Sequence, residues 1–112
     1  MNSYLKFLVF KQQIEDEFVL KHGLDARGLS LLAEVGRASW LNQPSTISDL
    51  MRLSKYGSPA TIHRCLNMLR EVGLVLDFHQ GKNRRTKYLA LNQVVENYYS
   101  QLGELISKTQ HG

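Results

Sequence analysis

The chain has 112 residues, of which 43% are apolar, and it contains one cysteine, Cys65. This length fits a single domain, and a lone cysteine excludes an internal disulfide and is typical of a reducing compartment. No apolar run reaches the roughly eighteen residues of a membrane-spanning helix, and the N-terminal segment has no small-residue cleavage site. We therefore expect a cytoplasmic protein without a membrane partner.

Positive charge is concentrated in the middle of the chain. The net charge is +4, but residues 46–91 hold eight Lys and Arg against three Asp and Glu, a net +5. Residues 1–45 hold five charges of each sign, and residues 92–112 hold one cation against two acids. Such a concentration favours a polyanionic partner, because binding releases the partner's counterions. A solvated basic face is the alternative interpretation.

The first two predicted elements are helices. Residues 3–22 carry apolar residues at helical spacing, with further apolar residues off that stripe, and Gly23 is expected to end the helix. Asp25 can cap a second helix over residues 26–40, and Trp40 is expected to pack at its end. The predicted inner face of this helix consists of Leu29, Leu32, Ala33 and Gly36.

The next segment predicts short elements joined by a turn. Residues 46–47 predict a short extended piece, and Ser48 follows as the expected cap of a brief third helix. Residues 55–57 predict a tight turn. Ser58 is then expected to cap a fourth helix whose first position is Pro59, where the missing N–H costs nothing.

The fourth helix is amphipathic at ~100° per residue. Its apolar side contains Ile62, Cys65, Leu66, Leu69 and Val72. Its opposite side contains Ala60, His63, Arg64, Asn67 and Glu71, with Thr61 and Met68 at the flank. Cys65 is therefore predicted to be a buried structural thiol, which behaves as a small hydrophobe.

A hairpin and a last helix complete the predicted elements. Residues 74–78 and 86–91 predict two strands, and a basic loop lies between them. The cations of this hairpin are Lys82, Arg84, Arg85 and Lys87. Asn92 is expected to cap the last helix, whose apolar stripe is Val94, Val95, Tyr98, Leu102, Leu105 and Ile106.

This order of elements predicts a winged helix-turn-helix, mainly α with a small β-hairpin and with extra N- and C-terminal helices. An α-helix fits the major groove of DNA, and its N-terminal half reaches base edges. Arg64 could pair with guanine and Asn67 with adenine, while the hydroxyls at the helix starts suit phosphates. The predicted DNA-binding residues are Ser48, Ser58, Ala60, Thr61, His63, Arg64, Asn67, Lys82, Arg84, Arg85 and Lys87.

Residues 24–92 resemble the DNA-binding lobe of MarR-type transcriptional regulators. The resemblance lies in "TISDLMRLSKYGSPATIHRCLNMLREVGLV" and in the following "NRRTKYLALN". It implies a double-stranded DNA partner, an arginine of the recognition helix at Arg64, and a minor-groove arginine of the wing at Arg85. Asn83 stands where the family usually carries an acid.

The terminal helices carry more apolar residues than one core needs. The resemblance implies that such helices pair with those of a second copy to form a homodimer. In this single domain the dimerisation helices are residues 1–22 and 92–112, and residues 24–91 are the DNA-binding lobe. A two-fold axis would then match a near-palindromic site. The predicted dimer interface consists of Leu5, Val9, Phe10, Val19, Tyr98, Tyr99, Leu102 and Ile106. The alternative is that both helices cover their own domain.

Catalytic and metal chemistry have no motif in this sequence. No serine, cysteine or histidine falls in a nucleophile motif, and the four histidines have no metal-ligand spacing. We expect neither an enzyme nor a cofactor, and a small-molecule effector stays open. The alternative functions are a winged-helix protein-interaction module and a replication or plasmid-maintenance initiator domain.

Overall fold

The computed structural model describes residues 2–110, with side chains to residue 108. Two compact units are present: a terminal unit formed by residues 2–23 with 93–110, and a lobe formed by residues 24–92. The elements are α1 (Ser3–His22), α2 (Ala26–Trp40), α3 (Ile47–Met51), a 3₁₀ turn (Ser54–Tyr56), α4 (Pro59–Glu71), β1 (Val75–Phe78), β2 (Tyr88–Leu91) and α5 (Gln93–Gln110). Met1, His111 and Gly112 of the predicted terminal segments lie outside the described residues.

The predicted fold class is confirmed, because the described chain is mostly helical with one antiparallel hairpin. Within residues 2–110, no helix combines the length and the apolar character that crossing a membrane requires. In the terminal unit α1 packs against α5, where the rings of Phe18 and Tyr98 stack with centroids 4.0 Å apart. Gly23 ends α1 in the left-handed conformation, at φ 65°.

The lobe has its own core, to which α2 contributes a different face from the predicted one. The buried residues of α2 are Gly28, Leu31, Leu32 and Val35. The predicted set has the same spacing but begins one residue later in the sequence; it consists of Leu29, Leu32, Ala33 and Gly36. All of its members except Leu32 are only partly buried. The observed phase buries two large side chains, Leu31 and Val35, in place of Ala33 and Gly36, which removes more apolar area from water.

Trp40 does not pack at the end of α2, contrary to prediction. Its side chain is 86% exposed, and Leu41 beside it is 65% exposed. Trp40 lies five residues after the buried Val35, or about 140° around the helix at ~100° per residue. It therefore points away from the core side of α2.

The start of α3 also differs from the prediction. Its cap is Thr46, not Ser48: the Thr46 hydroxyl accepts from the Asp49 N–H at 3.1 Å, and Asp49 Oδ2 accepts from the Thr46 N–H at 2.9 Å. This reciprocal pair is a capping box. The predicted extended piece at residues 46–47 is consequently split between the cap and the first helical residue. One strand-like contact precedes it, in which the Leu89 N–H donates to the Ser45 carbonyl at 2.9 Å.

The hairpin is antiparallel, with Val75 paired to Leu91 and Phe78 paired to Tyr88. The Phe78 and Tyr88 rings lie with centroids 5.8 Å apart at the end of the hairpin that adjoins its loop. Beyond them, residues 79–87 form the wing loop, which His79 braces with a hydrogen bond from Nδ1 to the Thr86 carbonyl at 2.9 Å.

Candidate nucleic-acid interface

The capped start of α4 matches the prediction. The Ser58 hydroxyl accepts from the Thr61 N–H at 3.2 Å and lies 2.9 Å from Thr61 Oγ1, while Pro59 occupies the first helical turn. Ile62, Leu66 and Leu69 are fully buried on the inner side. Three of the predicted outer residues, Ala60, His63 and Arg64, are exposed. The apolar stripe therefore fixes which side of α4 faces solvent.

Two predicted inner residues are less buried than expected. Val72 is the C-cap of α4 and is exposed, because the helix ends there and the chain turns through Gly73. Cys65 is half-buried, and burial raises the pKa of its thiol, with Asp25 adding to the effect. A thiol with a raised pKa is a poor nucleophile, which fits the predicted structural role.

The turn before α4 is anchored to α2. The Tyr56 hydroxyl donates to Glu34 Oε1 at 2.5 Å, and Arg27 Nε donates to the Tyr56 carbonyl at 2.6 Å. Lys55 Nζ lies 3.7 Å from Glu34 Oε1. The hydrogen bond from Tyr56 lowers the pKa of Glu34, and the nearby Arg37 and Lys55 act in the same direction. Glu34 is therefore a charged anchor that holds the turn, and no sequence spacing pointed to it.

Glycine is required between this turn and α4. Gly57 has φ 133°, a region that side chains disfavour. A Cβ atom at this position would lie 3.2 Å from Thr61 Cγ2. The helix start can therefore approach the turn only because this residue has no side chain.

The polar face of α4 carries a hydrogen-bonded pair at its centre. Asn67 Nδ2 lies 3.3 Å from His63 Nδ1, and Arg70 Nη1 donates to Asn67 Oδ1 at 3.3 Å. Arg70 also pairs with Asp77 of β1. Both ends of the Asn67 amide thus have partners within the protein. One N–H and one oxygen lone pair are left over, so the predicted bidentate contact with adenine would have to share an amide that His63 and Arg70 already hold.

The wing tip is ordered by Asn83. Its Oδ1 accepts from the Arg85 N–H at 3.0 Å, and its Nδ2 lies 3.4 Å from Thr86 Oγ1. This neutral side chain therefore turns the backbone at the position where the resemblance implies an acid. The cations around it, Lys82, Arg84, Arg85 and Lys87, are all exposed.

The cations of the lobe divide into two groups. Four of them have acidic partners: Arg37 and Lys55 share Glu34, Arg52 pairs with Asp49, and Arg70 pairs with Asp77. Arg27 donates to a carbonyl. Within residues 24–92, the cations whose side chains have neither an acidic nor a carbonyl partner are Arg64, Lys82, Arg84, Arg85 and Lys87.

The two predicted phosphate-binding serines differ in their surroundings. Ser58 uses its hydroxyl as the cap of α4. Ser48 lies exposed in the first turn of α3, one residue after Ile47, and is not its cap. Thr61 is half-buried beneath Ser58. The eleven predicted contact residues all belong to the lobe, but only part of them combine exposure with an unused donor or charge.

The predicted dimer residues lie in the terminal unit and are unequally exposed. On α1, Leu5 is 58% exposed, Val9 is 59% exposed and Phe10 is 40% exposed, whereas Val19 is half-buried. On α5 the exposure falls from Ile106 through Tyr99 and Leu102, which are half-buried, to Tyr98. Tyr98 is only 5% exposed, because it stacks on Phe18 of its own chain. Tyr98 therefore has little surface to offer a second chain, contrary to prediction.

An open groove of about 300 Å³ lies beside this stack, lined by residues that include Lys21, His22 and Asn97. Burial lowers the pKa of His22, and the neighbouring Lys21 lowers it further. Within residues 2–110, no group of three His, Cys, Asp or Glu is placed to hold a metal ion. His111, one of the four histidines considered above, lies outside that range.

Comparison with known proteins gives a likeness of fold. No family model matches the sequence, and no curated protein matches it. Among solved structures, the chain is similar to the S. aureus MepR–DNA complex, with a TM-score of 0.69 and 13% sequence identity. The match covers 98% of this chain and 81% of MepR, which is a MarR-family regulator. The expected MarR-like winged-helix fold is thereby confirmed, whereas the sequence shows no membership of the family.

Proposed function

We propose that the chain is a transcriptional regulator that binds double-stranded DNA through α4 and the wing. The observation that carries this proposal is the position of the unpaired cations. Arg64 lies on the exposed side of α4, and the others lie in the wing, while the remaining lobe cations have acidic or carbonyl partners. Exposed cations without protein partners gain most from contact with phosphates.

The roles of the two elements follow from their shape. The N-terminal half of α4 presents Ala60, His63 and Arg64 on one exposed side, which suits the major groove. The wing presents its arginines at the tip of a two-stranded hairpin, which suits the backbone or the minor groove. The similar fold of MepR is found in a complex with DNA, which supports this assignment.

We propose further that the DNA-bound form is a homodimer that pairs its terminal helices. Exposed Leu5, Val9 and Phe10 on α1 support this, because burying them against a second copy would remove apolar surface from water. A two-fold axis would make the contact self-complementary. It would also set two copies of α4 about one DNA turn apart, ~34 Å, and so favour a near-palindromic site.

The first experiment is selection of a preferred duplex from a randomised library, followed by binding titrations at increasing salt. We expect one preferred site and a steep loss of affinity with salt, at a slope of about 0.9 per phosphate contact. Failure to bind any duplex at low salt would exclude DNA binding and favour the protein-interaction module.

The second experiment compares two single substitutions. Arg64→Ala should cost ~1–3 kcal/mol on the preferred site and narrow the gap to random DNA. Arg37→Ala removes a lobe cation that pairs with Glu34, and it should leave both affinities within a factor of about two. An equal loss on all sequences for Arg64→Ala would make Arg64 a phosphate contact instead of a base contact.

A further inference from the structure

A chain of hydrogen-bonded side chains runs across the polar face of α4. It starts at Asp77 on β1, passes through Arg70 and Asn67, and ends at His63. His63, Asn67 and Arg70 follow each other at helical spacings of four and three residues, so they share one side of α4. Among the three residues on α4, exposure rises from the half-buried Arg70 and Asn67 to the exposed His63.

The direction of every bond in this chain is fixed by its first members. An arginine guanidinium can only donate, so the atom of Asn67 that faces Arg70 must be the oxygen. The Asn67 nitrogen therefore faces His63 and donates to Nδ1. An Nδ1 atom that accepts a hydrogen bond carries no proton. In the neutral ring the proton must then be on Nε2, the ring nitrogen that has no partner among these four side chains.

We infer that His63 reads a base edge by donating from Nε2–H to an acceptor in the major groove, and that Asn67, Arg70 and Asp77 are its positioning residues. This inference rests on the proposed DNA-binding function. The major-groove acceptors are purine N7, guanine O6 and thymine O4, and we assign the contact to purine N7, the acceptor that both purines carry. An N–H fixed at one ring nitrogen suits an acceptor at a defined position, as a base edge provides.

The inference changes the role of Asn67. Recognition of adenine by an asparagine needs both its amide donor and its amide oxygen. Here one of the two amide N–H groups donates to His63 and the oxygen accepts from Arg70, so the orientation of the amide is set within the protein. Asn67 consequently transmits the orientation set by Asp77 and Arg70 to the His63 ring.

The tautomer can be measured in the DNA-free protein. In ¹⁵N-labelled protein, at a pH where the ring is neutral, two-bond and three-bond ¹H–¹⁵N correlations identify the protonated nitrogen of His63. We expect the Nε2–H form. Asn67→Asp should reverse it to Nδ1–H, because a carboxylate can only accept. Arg70→Leu should give a mixture, whereas the control Arg37→Leu should leave the Nε2–H form intact. A wild-type ring in the Nδ1–H form would overturn the inference.

The base contact can be measured by replacing purines of the selected duplex, one at a time, with 7-deazapurines that lack the N7 acceptor. At one purine per half-site, wild-type protein should lose about tenfold in affinity, the worth of one hydrogen bond of ~1.4 kcal/mol. His63→Ala should show no further loss at that purine. His63→Gln, which offers a donor at similar reach, should regain part of the sensitivity.

The outcomes separate this inference from the proposed function. If the duplex binds but every 7-deazapurine affects wild type and His63→Ala equally, reading of purine N7 by His63 is wrong and DNA binding stands. If no duplex binds, the proposed function is wrong. The base contact is then wrong as well, whichever tautomer the ring adopts. Circular dichroism of each variant checks that the helices are retained.

Discussion

The lobe and the terminal unit differ in two surfaces: α4 and the wing expose unpaired cations, whereas α1 exposes apolar side chains. The lobe buries Leu31, Leu66 and Leu69 completely and leaves its unpaired cations on α4 and the wing. The terminal unit leaves apolar side chains of α1 exposed, such as Leu5 and Val9. Its lysines include two in ion pairs along their own helices, Lys11–Glu15 and Lys108–Glu104. This difference in chemistry is the reason for proposing two different partners. An exposed cluster of cations suits a polyanion, and exposed apolar side chains on α1 suit the apolar surface of a second copy.

The exposed apolar residues of α1 provide the test with the largest expected effect. Leu5→Glu combined with Val9→Glu places two carboxylates on the surface that we propose is buried between copies. We expect the dimer to weaken by about 4 kcal/mol, or about a thousandfold in Kd, because each carboxylate would lose water without gaining a partner. Analytical ultracentrifugation at micromolar concentration measures this as a change from about twice the 12.8 kDa chain mass to that mass.

The matched control is Leu41→Glu, since Leu41 is an exposed leucine of the lobe. It should leave the sedimentation unchanged. Wild-type protein that already sediments at 12.8 kDa would contradict the dimer, and with it the near-palindromic site.

The second test concerns the charged surface of the lobe. Replacing Arg84 and Arg85 together with alanine should weaken binding by about 2 kcal/mol per protomer on every sequence and lower the salt slope by about two per protomer. The double variant Arg37→Ala with Arg52→Ala removes the same charge from the same lobe, but both of its cations have acidic partners. Equal salt slopes for the two variants would show that total charge, and not the wing, determines the affinity.

The sequence predicts the elements of the lobe well because their signals are local. Ser58, Pro59 and the apolar spacing of α4 specify where that helix starts and which side is buried, and the structure agrees. Ion pairs are different. Whether Arg70 is available to a ligand depends on Asp77, which β1 brings close only in the folded lobe. The separation of paired from unpaired cations could therefore not be read from the composition.

Predictions that depended on helix phase or on packing partners were less accurate. The face of α2 was predicted one residue out of phase, because small and large apolar residues alternate around it. Tyr98 was predicted to face a second chain, yet Phe18 covers it within the same unit. No local pattern distinguishes an aromatic residue that packs within its own chain from one left on the surface, as Trp40 is.

The stacked Tyr98 provides a test of the terminal unit's own core. Burial raises the pKa of Tyr98 to about 12, from an ordinary value of 10.0, and Glu15 contributes. The folded protein therefore holds this proton to higher pH than the unfolded chain, so the stabilisation is complete below pH 10 and is lost as pH rises toward 12. Between pH 8 and pH 11 the wild type should lose about 1 kcal/mol more unfolding free energy than Tyr98→Phe.

Urea unfolding at one protein concentration measures the difference between these two proteins. Tyr98→Phe keeps the ring that stacks on Phe18 and removes only the titrating group, so the titration of lysines cancels in the comparison. A wild-type protein whose stability follows that of Tyr98→Phe over this pH range would mean that the hydroxyl is solvated, and that α1 and α5 pack less closely than the ring stack indicates.

The smallest expected effect concerns two hydroxyl side chains of the lobe, Thr46 and Ser48. The first stabilises the fold as a helix cap, whereas the second lies on the surface. Thr46 closes the capping box of α3 with Asp49, whereas Ser48 lies exposed two residues further on without a capping role. Thr46→Ala should lower the unfolding free energy by ~1 kcal/mol, and Ser48→Ala by less than about half of that, as measured by urea unfolding. If Ser48 contacts a phosphate, Ser48→Ala should instead weaken DNA binding at unchanged stability. A larger stability loss for Ser48→Ala than for Thr46→Ala would place the cap at Ser48, as the sequence suggested, and would move the start of α3 by two residues.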